Sequence, residues 1–428
     1  MTSAQDHLKK TVYNGARAKN LVITDAVLDR ISYELSVIEK KEFTDYFIIY
    51  SLIIEICNEL NLLRSYGRGF AADSLINYCL DITKINPIDE NLMFENFIHL
   101  QQKNLPDVQI DIPRGQQKNV VELLRKKYPI YSSYFIAFLP QEDTEYENII
   151  YNSTIYKKHP CGIIITPDKL TYSTFEYRNQ DFYLRGDKAN DPIYNSKFDI
   201  LELEYLNRLQ LIVDEIGDKH HPYKLPLNDI GVLDFFATGD LDNIFQFDAS
   251  WHKLVFPQFK PSSIHDLSIV NALFRPGLFE YMSFVTRSKQ NNKETFYTNN
   301  NRVSEILSET YGGLIYKETY LQLSKEIAGI DFVEADAWRQ KMLRDKSKNE
   351  SINFSAVFAK GCKERSTLNE DEIATLTNLI KERAGSTFPK SHSLSYAIIG
   401  YWGAYYKTHF RSQFDQVFSQ DLKFEIWS

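Results

Sequence analysis

The chain has 428 residues, 43% of them hydrophobic and 25% charged, with a formal net charge of −8. That length admits two or three domains with substantial cores, and the composition excludes a disordered chain and points to a soluble globular protein. The acidic balance excludes a uniformly basic surface, although a local cationic channel depends on how charge is distributed and not on its sum. Four cysteines (Cys57, Cys79, Cys161, Cys362) lack any CxxC spacing, so a reducing cytoplasm and no structural zinc are expected. The longest apolar run, Phe47 to Ile54, is too short to span a bilayer. The 27 Tyr and 28 Phe suit base stacking but are accounted for more simply as large core side chains.

In chain order, residues 1–30 are polar and read as a loosely packed lead-in. From Ile31, apolar residues recur at helical spacing (Ile31, Leu35, Ile38), and Thr44 is placed to cap a second, more buried helix through Leu63. Next comes Tyr66-Gly67-Arg68-Gly69-Phe70-Ala71-Ala72-Asp73-Ser74-Leu75, a glycine-punctuated turn entering an apolar helix. Such a turn lets backbone N–H groups approach a phosphate at a helix N-terminus.

The stretch Leu105-Pro106-Asp107-Val108-Gln109-Ile110-Asp111-Ile112 alternates with the period of a half-buried strand, which puts Asp107, Gln109 and Asp111 on one face. Carboxylates sharing a face repel unless something positive lies between them, and oxygen ligands in this arrangement suit Mg²⁺. An exposed edge strand with a solvated outer face carries the same alternation. A basic helix ending Leu124-Arg125-Lys126-Lys127-Tyr128 comes after it, then the acidic run Glu142 to Glu147. Beyond that run stand Lys157-Lys158-His159-Pro160-Cys161-Gly162-Ile163-Ile164-Ile165-Thr166-Pro167 and Ser196-Lys197-Phe198-Asp199-Ile200-Leu201-Glu202-Leu203.

The turn and the acidic strand together resemble the palm of the bacterial DNA polymerase III α subunit, where Gly-Arg-Gly-Ser precedes Pro-Asp-x-Asp-x-Asp-Phe. Lys158 onward is similar to that family's Lys-His-Ala-Gly-Gly-Val-Val-Ile-Ala-Pro, and Lys197 onward to Lys-Phe-Asp-Phe-Leu-Gly-Leu. Five later runs resemble its fingers: Gly239 to Phe247, Ala272-Leu273-Phe274-Arg275-Pro276-Gly277, Tyr311 to Glu318, Ala335 to Met342, and Phe388 to Ala397. An amphipathic helix from Asn369 to a Gly385 stop lies among them.

The resemblance implies an α+β fold: a polymerase β-like nucleotidyltransferase palm with a large, mainly helical fingers region and a reduced or absent thumb. Its boundaries would be a lead-in (1–30), first palm part (31–128), thumb-replacement segment (129–156), second palm part (157–205) and fingers (206–428). Palm and fingers alone are expected, without the family's PHP domain or its clamp-binding and tail segments. Asp111 and Asp199 would be catalytic metal ligands, with Gln109 a weak third standing where the family has aspartate, and Asp107 reaching in. Two Mg²⁺ (or Mn²⁺) ions are implied. Gly67, Arg68, Gly69, Phe70 and Ser74 would lie under a triphosphate, together with Arg275, Arg339, Lys341, Lys390 and His392. Lys158, His159, Arg125, Lys126 and Lys127 would meet nucleic acid.

Departures at Phe70 (family Ser), Asp73 (family Gly), Gln109 and Gln340 (family Arg) each remove a hydroxyl or a charged ligand group, or add a negative charge. The first reading is therefore a minimal, non-processive nucleotidyltransferase in the cytoplasm, extending a primer or primer–template from nucleoside triphosphates. A second is a catalytically impaired nucleic-acid- or nucleotide-binding subunit of a larger complex, whose partner supplies thumb or clamp functions. A third is template-independent transfer.

Overall fold

The computed structural model describes residues 3–138, 148–151, 154–167, 174–177, 181–185, 196–275, 279–290, 300–345 and 349–420. The chain divides into two compact units, residues 1–218 with 416–428, and residues 219–415. The acidic run Glu142 to Glu147, and Pro276 with Gly277, lie outside the described residues. Both helix and sheet are present, so the architecture is mixed α+β.

The first unit opens with helices α1 (Ala4–Ala18), α2 (Asp25–Lys40), α3 (Thr44–Glu59) and the short α4 (Leu75–Cys79). The expected loose lead-in is instead an ordered helix: α1 buries Leu8, Val12 and Ala16. Three apolar residues at i, i+4 and i+8 suffice to seat a helix whose remaining faces are polar.

Strands β1 (Gln109–Pro113), β2 (Ser132–Phe138), β3 (Asn148–Tyr151), β4 (Thr154–Thr166), β5 (Thr174–Tyr177), β6 (Asp181–Arg185) and β7 (Lys197–Leu203) form one seven-stranded sheet. Its order is β1-β7-β4-β2-β6-β5, with β3 paired to β4. The edge strand β1 runs parallel to β7, and β4 is antiparallel to both β7 and β2. Helices α5 (Gln117–Lys127) and α6 (Glu204–Ile216) come directly after β1 and β7.

The strand begins at Gln109 and not at Leu105. Two tyrosines of α3 explain the late start: the Tyr46 hydroxyl donates to the Pro106 carbonyl at 2.8 Å and the Tyr50 hydroxyl to that of Val108 at 2.6 Å. Those acceptors are held by a helix, and Pro106 has no N–H to offer a ladder. Tyr50 also accepts from the Asp199 backbone N–H at 3.2 Å, so one buried phenol ties the entry of β1 to the middle of β7.

The second unit is helical among its described residues: α7 (Ile230–Thr238), α8 (Ser250–Phe259), α9 (Ile264–Leu273), α10 (Phe279–Gln290), α11 (Asn301–Ser308), α12 (Lys317–Glu326), α13 (Phe332–Arg344), α14 (Asn349–Arg365), α15 (Glu370–Arg383), α16 (Lys390–His409) and the start of α17 (Arg411–Ser419). Helix α15 begins where expected, directly after Asn369, which the structure shows to be its N-cap with a capping box to Glu372, but it runs at Ala384 into a 3₁₀ turn and not into a glycine stop.

Candidate functional site

In the first unit, the parallel register sets Gln109 beside Asp199 and Asp111 beside Leu201. Burial deepens along the face: Asp107 is exposed, Gln109 half-buried, and Asp111 only 1% exposed. Gln109 donates from Nε2 to both carboxylate oxygens of Asp107, at 3.0 and 3.1 Å. Asp111 receives Arg68 on Oδ1 at 3.0 Å and the Ser65 hydroxyl on Oδ2 at 2.9 Å. Burial raises its pKa, and the Arg68 charge and Ser65 hydrogen bond only partly oppose that.

The glycine turn is organised from inside. Gly69 takes a left-handed φ of +59°. Helix α4 is capped by Ser74, but its exposed-amide end is filled by Glu34 of α2. That buried carboxylate accepts from the Leu75 and Ile76 N–H groups at 3.0 and 3.1 Å, and from the Ser74 hydroxyl at 2.7 Å. The end of α4 expected to meet a phosphate therefore already holds an anion supplied by the chain itself. Arg68, expected under a phosphate, faces Asp111, and Phe70 packs partly buried against the core.

Across the sheet, Phe135 pairs with Ile163 while Ala137 pairs with Lys158, so residues 159–162 of β4 form a bulge. Within it, His159 Nδ1 accepts from the backbone N–H groups of Gly162 at 2.7 Å and Cys161 at 3.2 Å. Gly162 is needed there, because a Cβ would stand 2.9 Å from His159 Nδ1. The bulge turns the Cys161 thiol toward Asp199, where Sγ lies 3.3 Å from Oδ1. Lys197 pairs with the other oxygen of Asp199 at 3.0 Å. Burial, and secondarily Asp199, push the Cys161 thiol up to about 12, while burial and the Lys197 charge lower the His159 pKa.

The basic residues of this unit differ in commitment. Lys127 is bound to Glu55 and Glu59, Arg125 to the Ser133 hydroxyl and carbonyl, and Lys158 lies over the Phe135 ring at 4.7 Å. Lys126 is exposed.

In the second unit, Arg275 stacks on the Phe388 ring at 3.9 Å, and His392 meets the same ring edge-on at 5.4 Å. Burial and the charge of Arg339 lower the Arg275 pKa, and among the described residues no carboxylate pairs with it. Arg339 and Lys317 converge on Oδ1 of Asp336 at 3.0 and 2.9 Å, and Gln340 donates to its Oδ2. Burial would raise the Asp336 pKa, yet these cations hold it below the usual carboxylate range. Lys390 pairs with Glu309 at 2.6 Å while its backbone N–H binds Glu318, whose own pKa burial raises. Lys341 is exposed and lies over Trp338.

Residues 6–141 match the model of the bacterial DNA polymerase III alpha NTPase domain, and residues 202–366 match that of the same subunit's finger domain. The chain is 26% identical to DNA polymerase III subunit alpha of Halalkalibacterium halodurans over 96% of this chain and 43% of that protein. It is 29% identical to the Ureaplasma parvum subunit over 90% of this chain and 46% of that one, and 26% identical to the Mycoplasma pneumoniae subunit over 90% and 51%. The chain belongs to the bacterial DNA polymerase III α family. It spans about half, or less, of the length of these relatives.

Membership in the polymerase III α family brings with it an expectation of divalent metal, which the side chains can be tested against. A two-ion site on Asp111, Gln109 and Asp199 does not fit them as they stand, since both oxygens of buried Asp111 are taken by Arg68 and Ser65 and the Gln109 amide is turned to Asp107. Sequence reasoning missed Ser65, Glu34, Cys161, Lys317 and Asp336. For Cys161 the only signal in the sequence is its place two residues after His159, while its convergence with Asp199 through the bulge is visible only in the fold. For the others no local pattern marks them. Among the described residues no helix is long and apolar enough to cross a membrane.

Proposed function

We propose that this polymerase III α relative is a nucleic-acid- and nucleotide-binding module whose transfer chemistry is impaired, built on a nucleotidyltransferase palm with a helical fingers region. The observation that carries this reading is the Asp111 carboxylate, 1% exposed and bonded on both oxygens, beside an uncharged Gln109. Electrostatic stabilisation of the phosphoryl group dominates such catalysis, and losing one carboxylate of a metal-binding set costs orders of magnitude in rate. Binding makes a smaller demand. Arg275, with an aromatic ring beneath it and no carboxylate partner among the described residues, is suited to a phosphate. A cytoplasmic setting, a role tied to DNA replication and a partner protein supplying duplex grip belong to the same proposal.

A second reading, active transfer from a nucleoside triphosphate to a 3′ end, is favoured by Asp199, half-buried in mid-sheet with Lys197 on one oxygen. Extension of a labelled primer, with and without template, in Mg²⁺ and in Mn²⁺, separates the two. The expected result is retention of primer–template and nucleotide binding without extension by the wild-type chain, and binding weakened by Arg275→Ala. Extension by wild type that Asp111→Asn and Asp199→Asn both abolish would overturn the binding reading, and its dependence on template would then decide between templated and untemplated transfer.

A further inference from the structure

We infer that His159, Cys161 and Asp199 form a binding site for a borderline divalent transition metal, Zn²⁺ above all, in preference to Mg²⁺. The three offer one nitrogen, one sulfur and one carboxylate oxygen, all within 4.8 Å of one another. Cys161 Sγ lies 3.7 Å from His159 Nδ1 and 3.3 Å from Asp199 Oδ1. Zinc bonds of ~2.3 Å to sulfur and ~2.0–2.1 Å to nitrogen or oxygen, set at tetrahedral angles, place such ligand atoms roughly 3.3–3.6 Å apart. The two separations to sulfur are thus close to the edges of a zinc tetrahedron before any ion binds, and the third edge lies within 4.8 Å.

The local structure prepares the donors. His159 Nδ1 accepts hydrogen bonds from the Gly162 and Cys161 amides, so it carries a lone pair and not a proton. Coordination trades those two bonds for the metal. Cys161 would lose its thiol proton to solvent on binding, which is the ordinary proton release of thiolate ligation. A thiolate is the ligand that discriminates: it suits zinc and other soft or borderline ions, whereas magnesium takes oxygen. Cys161 also falls on a glycine of the Lys-His-Ala-Gly-Gly run that this stretch resembles, so the sulfur belongs to this chain and not to that pattern. With three protein ligands, the fourth position is left to water or a bound group, the pattern of open zinc sites. All three residues are only half-buried, so an ion can reach them from solvent. None of this depends on the chain being a working polymerase, and the test uses binding alone.

The full chain, stripped of metal and titrated with Zn²⁺ against a competing chelator, should take up one equivalent that excess Mg²⁺ does not displace. Co²⁺ in its place should give a sulfur-to-cobalt charge-transfer band. Cys161→Ser should abolish that band and weaken Zn²⁺ at least about 10-fold, and Asp199→Asn should also weaken it, since even outer partners of a metal site cost 10–100-fold. Cys362→Ser, at a buried cysteine far along the chain, should change neither. X-ray absorption of the zinc-loaded wild type needs no variant to fold, and should show one sulfur at ~2.3 Å with nitrogen or oxygen at ~2.0–2.1 Å. A zinc shell of nitrogen and oxygen only, a cobalt band that survives Cys161→Ser, or displacement by Mg²⁺ would each overturn the assignment.

Discussion

At the scale of single residues, the buried polar groups divide into those the fold answers and those it does not. Asp111 is answered by Arg68 and Ser65, and Glu34 by Arg30, Ser74 and two backbone amides. His252 in α8 is not: it is fully buried among Phe247, Trp251, Phe256 and Phe274, and neither ring nitrogen has a hydrogen-bond partner among the described residues. Burial lowers its pKa from 6.5 to about 4, so the ring is neutral in the folded chain and charges on unfolding. The unfolded state therefore binds the extra proton between pH ~6.5 and ~4, and stability falls as pH drops through that window, by about 3 kcal/mol in total at 1.36 kcal/mol per unit. His252→Phe should raise the midpoint of urea unfolding at pH 7 by removing two unsatisfied nitrogens, each a cost of about 1 kcal/mol or more. It should also flatten the decline between pH ~6.5 and ~4. An unchanged pH slope in the variant would show that other groups carry it.

At the scale of elements, the features legible in the sequence are those set by local period. Helix α2 from Ile31 onward and helix α15 follow from apolar spacing, and the alternation around Gln109 to Ile112 correctly marks a strand, whereas the cap expected at Thr44 falls on Phe43 and the first turn of α2 begins at Asp25. The features hidden from the sequence depend on contacts distant along the chain. The strand's late start is set by tyrosines of α3, the bulge that aims Cys161 by its pairing with β2, and the filling of the α4 end by a glutamate 40 or more residues earlier. Helix α1 was hidden by its polar composition, and its seat rests on a close approach: at Gly15 an added Cβ would stand 1.8 Å from the Cys79 carbonyl oxygen at the end of α4. Backbone cannot yield there as a flexible side chain would. Gly15→Ala should therefore lower stability by about 1–3 kcal/mol, the range for overpacking, even though alanine favours a helix interior by up to ~1 kcal/mol. Thermal melting of the variant checks this, and an unchanged or raised melting temperature would return residues 1–30 to the status of a loose lead-in.

At the scale of the whole molecule, the helical unit from Lys219 to Asp415 is entered and left by the chain as an insertion within the first. Its interior is built around α16, where Leu394, Ala397, Ile398, Tyr401 and Trp402 are buried. That helix is fastened by polar contacts that stay inside the unit. The Ser393 hydroxyl donates to the Ser268 carbonyl at 2.7 Å, Tyr401 to that of Pro226 at 2.9 Å, and Lys407 reaches the carbonyls of Asp240 and Asp242 at 3.0 and 2.9 Å. A segment with its own core, and with the polar contacts of its central helix made within it, meets the physical requirement for independent folding, and at nearly 200 residues it is of ordinary domain size. Residues 219–415 expressed alone should therefore be helical by circular dichroism and unfold in one cooperative thermal transition. Lys407→Met should lower that transition by removing the three hydrogen bonds of a buried ammonium, a cost of about 1.5–4.5 kcal/mol at ~0.5–1.5 kcal/mol net per bond. A segment that is helical but melts without a cooperative transition would mean that its packing is completed only by the rest of the chain, and a phosphate site centred on Arg275 would then have to be sought in the full-length protein alone.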